Sequence, residues 1–249
     1  MLSIELLLGI VAAFLIAGIV KGVIGFGLPS VVLALLAATV GLNEAMVLLL
    51  VPCFVTNLWQ ALSGGKLVYV LKRFWTLLLG IGLVSWVGAS WHVSTDPRWL
   101  ISLLGGLLCA YALMSLVIRQ IPAPGRHEIV LSPIMGAISG LLNGLTGSFV
   151  VPGVLYLQAL GLPRDTLIQA LGVLFITSTV ALGISLRGNG LLSGEFLVLS
   201  VLGGIPALLG MRFGLVLRQK LDAVQFRRAF FAALMGFGIY LLINPVVHQ

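Results

Sequence analysis

Ten apolar runs follow one another with few polar residues between them, at roughly 4–20, 29–41, 44–63, 74–91, 99–118, 129–142, 149–162, 166–186, 195–217 and 227–244. About 20 apolar residues span a bilayer as a helix. Six runs are full length. The other four are too short or too closely coupled to be ordinary spans, and they form two pairs, 4–20 with 29–41 and 129–142 with 149–162. Composition points the same way. The chain is 60% hydrophobic and 8% charged, against about 25% charge in a soluble domain, so it cannot cover a water-facing surface. So much apolar material excludes disorder, and two cysteines exclude a disulfide scaffold. The runs are continuous, unlike the roughly ten-residue alternating strands of a membrane barrel. The sequence predicts an all-α integral membrane protein. Residues 4–20 read as a retained membrane segment, because Glu5 stands where a signal peptide carries basic residues and Lys21 follows the apolar run.

Each short pair is split by a glycine-rich break, Gly22-Val-Ile-Gly25-Phe-Gly27-Leu-Pro29 in the first and Gly140-Leu-Leu-Asn143-Gly144-Leu-Thr146-Gly147-Ser148 in the second. Glycine weakens a helix and proline deletes a backbone donor, so both stretches are expected to interrupt helices. The two halves also match. Gly27 aligns with Gly147, Gly41-Leu42 with Gly161-Leu162, and Thr56-Asn57 with Thr177-Ser178 after one inserted residue. The chain reads as a duplication, 1–119 and 128–249, joined by the polar, proline-bearing linker 120–127. Repeats of this kind typify secondary transporters.

Basic residues orient the spans. If each short pair crosses once, Lys66, Lys72, Arg73, Arg119, Arg126 and Arg187 share one side and Arg98, Arg164, Arg212, Arg218, Lys220, Arg227 and Arg228 the other, with no asymmetry. If each pair is a re-entrant hairpin, eleven of these residues share one side and only Arg98 and Arg187 lie on the other. The second arrangement is the expected one. Each repeat is then a hairpin plus three spans, the repeats are inverted, and both termini are periplasmic in a bacterial inner membrane. Trp75 and Trp91, about 24 Å apart on one helix, fit the two interfaces. The net charge of +7 follows from these loops, and nucleic acid is not needed to explain it.

Backbone without helical hydrogen bonds is tolerated in a membrane only where protein buries it or it lines a wet cavity. The two tips are therefore expected to meet near the midplane. Each would present a helix N-terminus, one starting near Pro29 and one near Ser148, with free N–H groups and a positive dipole end. Such ends suit an anion. The candidate binding residues are Lys21, Gly22, Gly25, Phe26, Gly27 and Ser30 around the first tip and Asn143, Gly144, Thr146, Gly147 and Ser148 around the second. Thr56, Asn57, Thr177 and Ser178 add hydrogen-bonding groups from mid-segment. Lys21 has two open roles, counter-charge to the anion or a side chain that snorkels to the surface. The glycines likewise have a rival role, close helix contact. Phe149 beside the second tip reads as a packing residue. Glu44, Asp165 and Glu195 sit at segment starts, where they answer helix dipoles. No carboxylate cage, phosphate loop, zinc motif or nucleophile set is present, so no metal or cofactor is expected, and an enzyme reading finds no residues.

The paired tips, together with Gly203-Gly-Ile-Pro206-Ala-Leu-Leu-Gly210-Met-Arg212, resemble the sulfite exporter TauE/SafE family of membrane transporters, also called the 4-toluene sulfonate uptake permeases, over nearly the whole chain. The family's run of three glycines is reduced here to Gly25-Phe26-Gly27. The resemblance implies a secondary transporter of sulfite, sulfonates, sulfoacetate or related anions. The dipole argument reaches an anion independently of it, but not sulfur. A proton is the default coupling ion, and no residue assigns it. An anion channel and a non-transporting scaffold are the rival readings. Any apolar helix face can meet lipid or a second subunit.

Overall fold

A computed structural model describes residues 3–117, 122–149 and 151–243, all helix and connecting turn with no strand among them. Ten α-helices follow in order: α1 (Ile4–Ile24), α2 (Leu28–Leu36), α3 (Leu42–Leu62), α4 (Leu67–Ser94), α5 (Pro97–Val117), α6 (Glu128–Thr146), α7 (Gly153–Ala159), α8 (Arg164–Gly188), α9 (Gly194–Leu217) and α10 (Ala223–Ile243). A short 3₁₀ turn, Gly125–His127, precedes α6. Among the described residues eight helices, all but α2 and α7, are long and apolar enough to cross a membrane. Arg119, Gln120 and His248 lie outside the described residues, as does Val150 within the second break.

Two elements are longer than the sequence reading, with its six full-length runs, made them. The run 4–20 belongs to a helix that continues through Lys21 and Gly22 to Ile24, and the run 129–142 to one that continues through Gly140, Asn143 and Gly144 to Thr146. A helical glycine costs about 1 kcal/mol relative to alanine. Here the glycines gain close helix contact, so the helices pass through them. The real breaks are narrower, and each begins at a left-handed glycine. Gly25 (φ 96°) closes α1, its N–H donating to Lys21 O at 2.7 Å, and Gly147 (φ 70°) closes α6, its N–H donating to Asn143 O at 2.8 Å. Gly27 (φ 102°) then opens α2, with Pro29 in its first turn as expected. The helix expected near Ser148 starts instead at Gly153, preceded by Pro152.

The chain forms two compact units. The first contains α1, α2, α3 as far as Cys53, α5, α9 and α10. Its tightest seam joins α1 to α9, where a Cβ on Gly18 would stand 2.2 Å from Ala207 O and one on Gly22 2.3 Å from Met211 O. The two helices run parallel, since Gly203 meets Phe14 and Gly214 meets Ile19 and Gly22. α5 and α10 run antiparallel, with Cys109 Sγ directed at Met235 O and Tyr111 edge-on to Phe231. Pro52 sits inside α3, where it removes a donor and frees the carbonyl four residues earlier. Ser200 of α9 repairs this: its hydroxyl donates to Leu48 O (2.7 Å) and accepts from Val51 N–H (3.0 Å).

The second unit holds α3 from Phe54, with α4, α6, α7 and α8. Its seam joins α4 to α6, and a Cβ on Gly136, Gly144 or Gly88 would stand 2.2–2.3 Å from a carbonyl oxygen of the facing helix. These helices are also parallel, from Leu77 beside Gly136 to His92, whose Nδ1 meets Leu145 O at 2.8 Å. α8 shares their direction, because Gly64, just before α4, lies beside Gln169 and Trp86 lies over Gly188. α7 runs back along α6: Gly153 lies beside Ser139, and Tyr156 Oη donates to Glu128 O (3.3 Å). Arg73 of α4 grips Glu128 through two bonds of 2.8 and 2.9 Å. Gln169 closes the lower end, donating to Ala61 O and accepting from Lys66 N–H.

Candidate functional site

In the first unit the break is a three-residue passage, Gly25-Phe26-Gly27, between α1 and α2. Both glycines have φ near 100°, a conformation that side-chain-bearing residues rarely adopt. Phe26 between them is half-buried. Gly27 lies against Phe230 and Val20, so a Cβ there would press on the Phe230 ring at 3.2 Å. Lys21, in the last turn of α1, is 3% exposed. That burial encloses the side chain in protein instead of leaving it at an exposed surface. Ser30, in the first turn of α2, is 0% exposed, and its Oγ has no hydrogen-bond partner among the described residues. Gly22 faces away from this group and into the α9 seam.

In the second unit the candidate residues divide differently. Asn143 is fully buried inside α6, and its Nδ2 donates to Ser85 Oγ and to Ser178 O, each at 2.9 Å. Both amide donors are therefore engaged, and Oδ1 is left buried with no partner among the described residues. The sequence suggested an N–H donor for oxyanions, but the amide has an oxygen to offer instead. Thr146 Oγ1 bonds back to Leu142 O (2.8 Å) and accepts the Ser148 N–H (3.2 Å), tying the chain as it leaves the helix. Thr177 and Ser178 hydroxyls bond back to Val173 O and Leu174 O, the usual fate of such residues inside a helix. Gly144 faces the α4 seam. Thr56 and Asn57 are both fully buried in α3, and Phe149 packs on Phe175 with ring centroids 5.3 Å apart.

The structure thus joins Asn143 and Ser178 by a bond and adds Ser85, which sequence reasoning missed. One serine in an apolar helix carries no signal. Only its place beside Asn143, through the parallel course of α4 and α6, gives it a role. Gln169 and Ser200 were missed for the same reason, since each bonds to backbone more than 100 positions away. The seams were legible. Gly18/Gly22, Gly210/Gly214 and Gly136/Gly140/Gly144 all recur at four-residue spacing, the small-xxx-small pattern of membrane helix contacts. Among the described residues no group of three or more His, Cys, Asp or Glu side chains could hold a metal.

Comparison with known proteins places this architecture. No curated protein and no solved structure matches the chain. The model of the sulfite exporter TauE/SafE family matches residues 10–241 of the 249, which takes in both breaks, both seams, the whole of α2 to α9 and most of α1 and α10. With eight helices able to span a bilayer and a family match over nearly its whole length, the chain belongs to the sulfite exporter TauE/SafE family of membrane transporters.

Proposed function

We propose that the protein is a secondary transporter that moves a small organosulfur anion or sulfur oxyanion across the bacterial inner membrane by alternating access, the anion head being bound at the helix breaks. The observation that carries this reading is a pair of buried oxygens, one beside each break, that have no hydrogen-bond partner among the described residues: Ser30 Oγ in one unit and Asn143 Oδ1 in the other. A buried polar atom left unpaired costs about 1–3 kcal/mol, so each is a place where a ligand contributes binding energy. The serine hydroxyl can donate to an oxyanion. The amide oxygen takes a hydrogen, as carried by hydrogensulfite, an amino sulfonate or a bridging water. Lys21 adds an enclosed amine, which carries a positive charge when protonated. The family's description supplies the sulfur.

The expected topology has support too. α7 returns along α6, and α6, α8 and α4 run the same way, as a re-entrant hairpin followed by a span requires. Two sets of five helices, of 21, 9, 21, 28 and 21 residues and of 19, 7, 25, 24 and 21, support repeats at 1–119 and 128–249 around the 120–127 linker. So do the seams, for α1 meets α9 as α6 meets α4: the first helix of one set against the fourth of the other. With inverted hairpins the cations other than Lys21 lie eleven to two, an asymmetry that favours periplasmic termini.

Thermal unfolding of the purified protein with sulfite, thiosulfate, sulfoacetate, taurine, an aryl sulfonate, acetate and a neutral control tests the reading. Saturation at a hundredfold excess over Kd stabilises the native state by about 2.7 kcal/mol. The shift should be confined to sulfur anions and weakened in Ser30→Ala and Asn143→Leu. A flat panel, or a shift that both variants leave untouched, removes the site. Large voltage-driven currents in place of saturable flux would make the protein a channel.

A further inference from the structure

Helices α4 and α8 leave a groove of about 350 Å³ on the second unit, with Gly82 and Trp86 on one bank and Ile176, Thr177, Val180 and Ile184 on the other. At residue 82 no side chain intrudes on the groove. A Cβ at Gly82 would meet nothing within 4 Å. Val180, Ile184 and Trp86 are 41%, 60% and 45% exposed, and both helices are of membrane-spanning length and hydropathy, so hydrocarbon is the medium that meets these walls. The Thr177 hydroxyl is already bonded to its own helix and adds little polarity to them.

A cation follows the groove along α8, two residues past Ser185, the last residue to line it. Thr177, Val180, Ile184 and Arg187 follow one another at spacings of three and four along α8, one stripe on a helix surface. Arg187 is exposed, and among the described residues its side chain has no hydrogen bond or ion pair. Trp86 closes the same end, its ring lying across Gly188, where a Cβ would stand 2.1 Å from Cη2. From Thr177, at the middle of α8, to Arg187 is ten residues, about 15 Å along the axis. That is half of a hydrocarbon core of about 30 Å. An apolar channel one leaflet deep, walled by an indole and followed by an unsatisfied guanidinium, has the length and charge of a single membrane lipid.

We propose that this groove binds one acyl chain of an anionic phospholipid, with the phosphate held by Arg187. A zwitterionic lipid fills the groove equally well but brings its own cation to compete with the guanidinium, so the preference for anionic lipid resides in Arg187 and the capacity for a chain in the space above Gly82.

The test is quenching of Trp86 by brominated lipid in vesicles. The Trp86 signal is the full chain's fluorescence minus that of Trp86→Phe. Brominated phosphatidylglycerol in a phosphatidylcholine host, and the reverse mixture, give the relative affinity. The expected preference for phosphatidylglycerol is about fivefold, the factor one interfacial cation contributes. Arg187→Gln should reduce it to about one, and Gly82→Leu should diminish quenching by both lipids while the far-UV circular dichroism stays helical. Equal quenching by the two lipids in the unmodified chain overturns the proposal. So does a preference that survives Arg187→Gln, or quenching that Gly82→Leu leaves unchanged. Absence of quenching by either lipid would mean that protein, such as a second copy of the chain, covers the groove, and would overturn it equally.

Discussion

Gly9 and Gly18 lie on the same helix and face different surroundings. A Cβ at Gly9 meets nothing within 4 Å, whereas one at Gly18 would stand 2.2 Å from the Ala207 carbonyl oxygen. Gly9→Ala should therefore stabilise the protein by about 0.5–1 kcal/mol, through helix propensity alone. Gly18→Ala forces α1 off α9 and should cost about 1–3 kcal/mol, as overpacking does. Thermal unfolding in detergent separates the two, and a loss at Gly9 equal to that at Gly18 would remove the seam as the explanation. In the sequence both are glycines in an apolar run. What distinguishes them is a second glycine at helical spacing, for Gly22 follows Gly18 by four residues whereas Ala13 follows Gly9. Spacing was also the signal that should have separated Gly140 and Gly144 from Gly147. The first two continue the four-residue series from Gly136 inside α6, and only Gly147 adopts a positive φ. Asn143 shows the limit of reading a residue alone. That it needs several partners was legible, but which of its atoms are satisfied depended on Ser85 and Ser178, brought to it by two other helices.

At the scale of elements, several helix starts carry legible capping signals, although α4 begins at Leu67 instead of near 74 and α7 at Gly153 instead of near Ser148. Ser3 caps α1 by accepting from Leu6 N–H (3.3 Å), Pro29 stands in the first turn of α2, and Glu44, Asp165 and Glu195 occupy the first turns of α3, α8 and α9. These are local rules of capping and dipole, and they act within four residues. The ends of α1 and α6 depend on distant contacts that favour a helical glycine, and local propensity misplaced both. Pro52 is a similar case. A proline inside a span is legible as a defect, while its remedy on α9 is not. Ser200→Ala should leave Leu48 O and Val51 N–H without their bonds and cost about 1–3 kcal/mol. Ser200→Thr, which keeps the hydroxyl, should recover part of that loss in the same unfolding measurement. Equal stability of Ser200→Ala and the unmodified chain would show that the α3 backbone finds other partners.

For the whole molecule, charge counting along the chain favours a returning pair over a crossing pair, and the proposed topology adopts it; the parallel course of α4 and α8 is what a returning pair requires. The membrane class and the number of apolar elements came through because hydropathy is additive along the chain. The division into two units did not, since it depends on which distant helices choose one another. In a chain with Cys53 and Cys109 replaced by alanine, a membrane-impermeant maleimide should label Ser63→Cys and Arg164→Cys from one side of the membrane and Ser94→Cys and Asn189→Cys from the other. If α6 and α7 instead cross together as one broken span, Ser63→Cys and Arg164→Cys label from opposite sides.

The glycine seams also bear on mechanics. Where the backbone of α4 rests on that of α6, almost no side chains intervene, so there are few rotamers to reselect and little room for one helix to creep past the other. Such a pair transmits force as a stiff girder rather than a sliding bearing, and α1 with α9 makes a second girder of the same build. In the alternating-access cycle proposed above, bending would then concentrate where the helical ladder is interrupted, at Gly25 and Gly27 beside one girder, at Gly147 beside the other, and at Pro206 within α9 and Pro133 within α6. The glycines that pack the seams and the glycines that end the helices lie within one or two helical turns of each other.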